Sequence, residues 1–162
     1  MSGAVDDRHC RHHTVNYLIV IDEIRILALL YRRVVVPTAV FEELRNSSAP
    51  PAVRAWMGHL PDWLEVRTPA TAQYTGLVKL DPGERDAILL AEELAAERLI
   101  IDELQGRREA EQRGIPVIGT LGVLRDAAEG GLLDLAKAIE SLRKTSFYIA
   151  PEILSRLLKD LR

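Results

Sequence analysis

Residues 80–120, LDPGERDAILLAEELAAERLIIDELQGRREAEQRGIPVIGT, read as helix, strand, helix, strand, with acidic residues at two of the junctions. Asp102 is the focus of the stretch. It follows Leu99-Ile100-Ile101, a short apolar, β-branched run suited to a strand buried on both faces of a parallel sheet. Open α/β sheets place ligands just beyond the carboxyl ends of such strands, so a carboxylate there is a candidate functional group.

The neighbouring elements follow from local signals. Asp81 is placed to cap the first helix, Pro82 suits its first turn, and Glu84 falls where a capping-box acid belongs. Ala87, Ile88, Ala91, Leu94 and Ala95 recur at the helical period and mark the core face, with Arg85, Glu92 and Glu93 toward solvent. After Asp102 a polar helix over 103–113 ends at Gly114, and Ile115-Pro116-Val117-Ile118 supplies another strand. Strand, helix, strand without a hairpin turn predicts a right-handed parallel crossover.

Composition bounds the alternatives. A chain of 162 residues with 48% hydrophobic residues is long enough for one domain with a real core. The single cysteine, Cys10, excludes an intramolecular disulfide framework and suits a reducing cytoplasm, the expected location. The apolar run at residues 17–21 is cut by Asp22 and Glu23, so neither a signal peptide nor a membrane span is expected. A net charge of −3 argues against passive electrostatic binding of nucleic acid. It leaves room for a nuclease, because divalent cations bound at an acidic site themselves attract phosphate.

The rest of the chain alternates in the same way. The first fourteen residues, MSGAVDDRHCRHHT, stand apart as an atypical terminal segment, and residues 15–162 read as one domain. His9, Cys10, His12 and His13 are metal-ligand types, but a structural zinc site draws on two separated pairs and no second pair exists. An adventitious metal-binding terminus is the plainer reading. Leu18, Ile21, Ile24, Leu27 and Leu30 predict one buried helix over 15–31. Val34-Val35-Val36 predicts a strand, Pro37 the start of a helix through Leu44, and NSSAPP a loop. A short helix over 52–59, an edge strand at 63–66, a polar loop over 68–75, and helices near 120–130, 132–143 and 151–161 complete a three-layer α/β domain. Its sheet is expected to hold four or five short parallel strands.

VVVPTAVFEEL, LDPGERDAILLAEEL and LIIDELQGRREAEQRGIPVIGTLGVL, in that order and at these separations, resemble the PIN-domain proteins. The resemblance is to the small prokaryotic branch of VapC-type toxin ribonucleases, and it covers residues from Asn16 to the C-terminus. It implies a PIN-like, Rossmann-like fold and a metal-dependent endonuclease acting on single-stranded RNA, the toxin of a toxin-antitoxin pair. By the same resemblance Glu43, Glu84 and Asp102 are the catalytic carboxylates and ligands of Mg2+ or Mn2+, with Asp86 and Glu103 as neighbouring alternatives. Carboxylates suit those hard cations. Arg107 and Arg108, a turn past Asp102, are candidates for phosphate contacts. An antitoxin-type protein and a second copy of the chain are the implied partners, the latter matching the apolar stripes of residues 132–142 and 153–161.

One departure stands at the front. The family pattern begins with a strand ending in an essential aspartate, yet the matching position holds Arg11 or His12, with no apolar strand before it. Asp6 and Asp7 are the nearest substitutes and require an insertion of a few residues. An N-terminus altered relative to the family is the expectation that follows. Each acid also has a purely structural reading. Glu84 serves a capping box, Glu43 a solvated helix face, Asp102 the cap of the next helix, and Asp86 and Glu103 solvent or the helix dipole. The alternative function is therefore a catalytically degenerate PIN-like domain retained for protein interaction or dimerisation.

Overall fold

The computed structural model describes residues 13–71 and 76–160. Asp6, Asp7, His9, Cys10, Arg11 and His12 lie outside them, as do residues 72–75 of the expected loop and Leu161.

The apolar stretch expected as a single helix forms two, α1 (Thr14–Val20) and α2 (Ile26–Leu30). The break is at Asp22, whose φ of 61° is left-handed and incompatible with a continuing right-handed helix. The Asp22 and Glu23 amides turn back onto the Ile19 and Leu18 carbonyls at 3.0 and 2.8 Å. The bend lets Leu18 and Ile26, on opposite sides of it, both be fully buried.

Strand β1 (Val34–Pro37) leads into α3 (Thr38–Leu44) and α4 (Pro51–Met57), and the chain returns as β2 (Leu64–Arg67). β1 and β2 pair in parallel, Val34 opposite Leu64. Helix α5 (Pro82–Glu93) follows, with the Asp81 carboxylate accepting the Glu84 amide at 2.8 Å as the sequence predicts. Next come β3 (Leu99–Ile100), α6 (Leu104–Gln112) and β4 (Val117–Ile118), with Leu99 opposite Val117 in a second parallel pair. Helices α7 (Thr120–Glu129), α8 (Leu135–Arg143) and α9 (Pro151–Lys159) end the described chain.

The α/β class and the parallel crossovers hold, but the expected single sheet of four to five strands does not. The described strands form two separate two-stranded sheets, β1 with β2 and β3 with β4. An apolar run specifies that a strand forms, while its neighbours are set by what lies beside it in space. Here nothing among the described residues joins β1 to β3. Helix α5 packs against both and carries the structure across the gap.

Three apolar clusters follow this division. One gathers Leu18, Leu27, Val123, Leu124, Ile139 and Leu142 between the first and last helices. A second sets Ile88 and Leu89 of α5 against Leu99, Ile101 and Ala110, and a third joins Val36 and Leu64 to Leu44 and Val53. Among the described residues no helix is long and apolar enough to cross a membrane.

Candidate functional site

The carboxyl ends of β1 and β3 face the N-terminus of α5, and the candidate acids collect around this end. Asp102 leaves β3 after Ile101, whose amide still pairs with Ile118 at 2.9 Å. It does not cap the helix that follows it. Glu103 does so, accepting the Gln105 amide at 2.8 Å and the Gly106 amide at 3.4 Å. Asp102 instead reaches across to α7, where Gly119 occupies the cap position and has no side chain to offer. One Asp102 oxygen accepts the Thr120 amide at 2.8 Å, and the other accepts the Thr120 hydroxyl at 2.5 Å and the Thr14 hydroxyl at 3.3 Å. The positive end of a helix dipole favours this carboxylate as well.

Gly119 is required by closeness. A Cβ there would stand 2.8 Å from Asp102 Oδ1 and 2.9 Å from Arg107 Nη1. Arg107 is thus brought to the Asp102 end of the site, while Arg108 is exposed.

On the β1 side, Glu43 of α3 meets His13, with Nε2 to Oε2 at 2.6 Å and both side chains largely shielded from solvent. Adjacent residues His13 and Thr14 therefore engage the acids on the two sides of the site. Glu84 lies between those sides, in the first turn of α5. Burial pushes its carboxyl up to about 8, and the negative charges of Asp81, Glu103 and Glu43 and a hydrogen bond with Asp81 add to the effect. Asp86 is turned to its neighbour Arg85, Oδ1 to Nε at 3.3 Å.

The structure brings Glu84 within the electrostatic reach of Glu43 and Glu103, with Asp102 and Arg107 on the far wall. It does not gather the acids on one centre. Among the described residues no group of three or more His, Cys, Asp or Glu side chains is arranged to hold a metal ion. Both Asp102 oxygens and one Glu43 oxygen are occupied by protein groups. Sequence reasoning missed His13, Thr14 and Thr120 as parts of this end. The available signal was positional: Thr120 stands one residue beyond a predicted strand, and His13 and Thr14 directly precede the helical period of α1.

Comparison with known proteins agrees with this architecture at the level of family. No curated protein and no solved structure matches the chain. The family DUF3368, a PIN domain, matches residues 13–162, which is nearly the whole chain. Parallel crossovers, acids at the carboxyl ends of the strands and this match together assign the chain: it belongs to the DUF3368 family of PIN domains.

Proposed function

We propose that this chain is a nuclease-type PIN domain whose hydrolytic site is closed by its own side chains, and that it acts by binding a protein partner. The observation that carries this reading is the double engagement at the site entrance. His13 holds Glu43, while Thr14 and Thr120 hold Asp102. PIN domains in general use a divalent cation, and the described residues do not fit one. Glu43 and Asp102, two of the acids that would share it, are engaged by separate protein groups. An antitoxin-type protein or a second copy of the chain is the kind of partner the toxin-ribonuclease branch would bring.

A second reading is favoured by Glu84. A carboxyl raised to about 8 among Asp81, Glu103 and Glu43 is a concentration of negative charge that a cation would relieve. On that reading the chain is a Mg2+- or Mn2+-dependent endonuclease for single-stranded RNA, the toxin of a toxin-antitoxin pair. Glu43, Glu84 and Asp102, with Asp86 and Glu103 as alternates, would then hold the ion, and Arg107 and Arg108 would steady the phosphates. The cation would activate the attacking water and stabilise the leaving oxygen.

Incubation of folded protein with a generic single-stranded RNA and Mg2+ or Mn2+, against EDTA and an Asp102→Asn control, decides between them. No cleavage is expected. Cleavage that needs metal and disappears in Asp102→Asn would replace the first reading with the second.

A further inference from the structure

Helix α1 begins at Thr14, and the two residues at its head meet different halves of the fold. His13, just before the helix, has extended backbone at φ −89° and ψ 137°. Its Nε2 meets Glu43 Oε2 of α3 at 2.6 Å, on the side of β1. Thr14 donates to Asp102 Oδ2 at 3.3 Å and lies 2.8 Å from the Thr120 hydroxyl, on the side of β3. Adjacent Cα atoms are about 3.8 Å apart, so a single peptide unit carries both grips across the site.

Packing restricts each grip. A Cβ on Gly83 of α5 would stand 2.9 Å from Val40 Cγ2 and 3.1 Å from His13 Cε1, so the imidazole edge lies directly against the α5 backbone. Thr14 and Thr120 are both buried. Rotation of either side chain alone has packed neighbours to displace. Both contacts fail once donor and acceptor part by about 1 Å, so a movement of that size by the head of α1 breaks the two together.

One turn along, buried Tyr17 sets the height of this head. Its amide donates to the His13 carbonyl at 3.2 Å. Its ring stands edge-on to Phe147 with centroids 5.0 Å apart, and its hydroxyl lies 3.2 Å from Ser146 Oγ. These partners belong to the turn between α8 and α9, which has its own bonds: Thr145 Oγ1 donates to the Leu142 carbonyl at 2.5 Å and accepts the Phe147 amide at 3.1 Å. Ser146 is exposed and Phe147 half-buried, so the turn connects Tyr17 to the surface. We propose that α1 is a strap that shuts the site on both sides in one movement, with the Ser146–Phe147 turn as the surface catch that holds it down. The inference rests on the closed-site reading above and names what regulates the closure. In the open state the head of α1 lifts off Gly83, and Glu43 and Asp102 lose His13 and Thr14 together. Displacing Phe147 from Tyr17 favours that state.

Solution NMR of the full chain tests this through two nuclear Overhauser effects. The effect between His13 Hε1 and Gly83 Hα reports the first grip, and the effect between the Thr14 and Thr120 side chains reports the second. Thr14→Val, which leaves His13, Gly83 and Glu43 intact, should weaken the first at least about threefold. His13→Ala, which leaves Thr14, Thr120 and Asp102 intact, should weaken the second by a similar factor. Phe147→Ala should weaken both in the same ratio. Tyr17→Phe, which keeps the ring and loses only the hydroxyl contact with Ser146, should do so to a smaller extent.

A contact that keeps its full strength when the opposite grip is removed would overturn the strap and leave two independent latches. Both contacts at full strength in Phe147→Ala would remove the catch, and if that variant does not fold, the same result in Tyr17→Phe does so. Independent latches in a chain that leaves RNA uncleaved remove only this inference, and the closed-site reading survives. Metal-dependent RNA cleavage removes that reading whatever the two contacts do.

Discussion

Glu84 has the largest consequence for pH at the level of single residues. Its folded pKa of about 8 lies above the ordinary 4.5, so between those values the folded chain holds a proton that the unfolded chain has released. Its contribution to stability is fully present below about 4.5 and is lost as pH rises through 8. Glu84→Gln removes the penalty of ionising there. It should raise stability at about pH 8.5 by on the order of 2 kcal/mol after allowance for solvent screening, with little change below about pH 5. Thermal melts of both proteins at the two pH values check this, and parallel pH profiles would refute it. Thr120 gives a second residue-scale expectation. It is fully buried, and its hydroxyl donates to the Asp102 carboxylate. Thr120→Val keeps the shape and the backbone bond but leaves the half-buried Asp102 carboxylate short of a donor, at about 2 kcal/mol by denaturant titration. Thr120→Ser should retain most of that stability.

At the scale of elements, α6 shows local propensity overruled by packing. Gly106 sits inside the helix, where alanine is ordinarily better by about 0.5–1 kcal/mol. A Cβ at this position would stand 2.5 Å from Ile101 Cδ1, a side chain itself buried. Gly106→Ala should therefore destabilise by about 1–2 kcal/mol, and Ile101→Val, which removes the clashing methyl, should recover part of the loss in the double variant. A stabilised Gly106→Ala in an otherwise unchanged chain would show that α6 does not press on β3 as described. The same distinction explains what the sequence made legible. Caps and periods are local, so Asp81 on α5, the strand at Val34 and the run ending at Ile101 could be read directly. The split of the 15–31 helix turns on one backbone angle at Asp22, for which an apolar repeat carries no signal. Pairings across the fold were also hidden. His13 and Glu43 are thirty positions apart and Asp102 and Thr120 eighteen, and in each pair the partners lie on different elements, so no local period links them. Asp102 and Glu84 stand out in the sequence because one follows a strand and the other begins a helix, and Glu43 only through the family resemblance; the protein groups they meet were missed because only the packed fold brings them in.

For the whole molecule, the division into two half-sheets and the occupied acids have a joint thermodynamic consequence. A ligand that binds only the folded state raises stability by about 2.7 kcal/mol when present at a hundred times its dissociation constant. In a domain of this size that corresponds to a rise in Tm of roughly 5–10 °C. A PIN site assembled for a divalent cation should therefore register millimolar Mg2+ or Mn2+ in a melting curve whether or not RNA is present. At about pH 8.5 a large fraction of Glu84 is ionised, which gives a cation its best opportunity. A cation would compete with His13 for Glu43 and with Thr14 and Thr120 for the lone pairs of Asp102, so these contacts oppose binding. The expected result is a Tm that moves by less than about 1 °C between EDTA and millimolar metal at this pH. His13→Ala, which removes the group on Glu43, should be the variant in which a metal-dependent rise first becomes measurable. A rise of several degrees in the unaltered chain would mean that the carboxylates reorganise around an ion at little cost, and that the engagement of Glu43 and Asp102 is a resting arrangement of a working nuclease site.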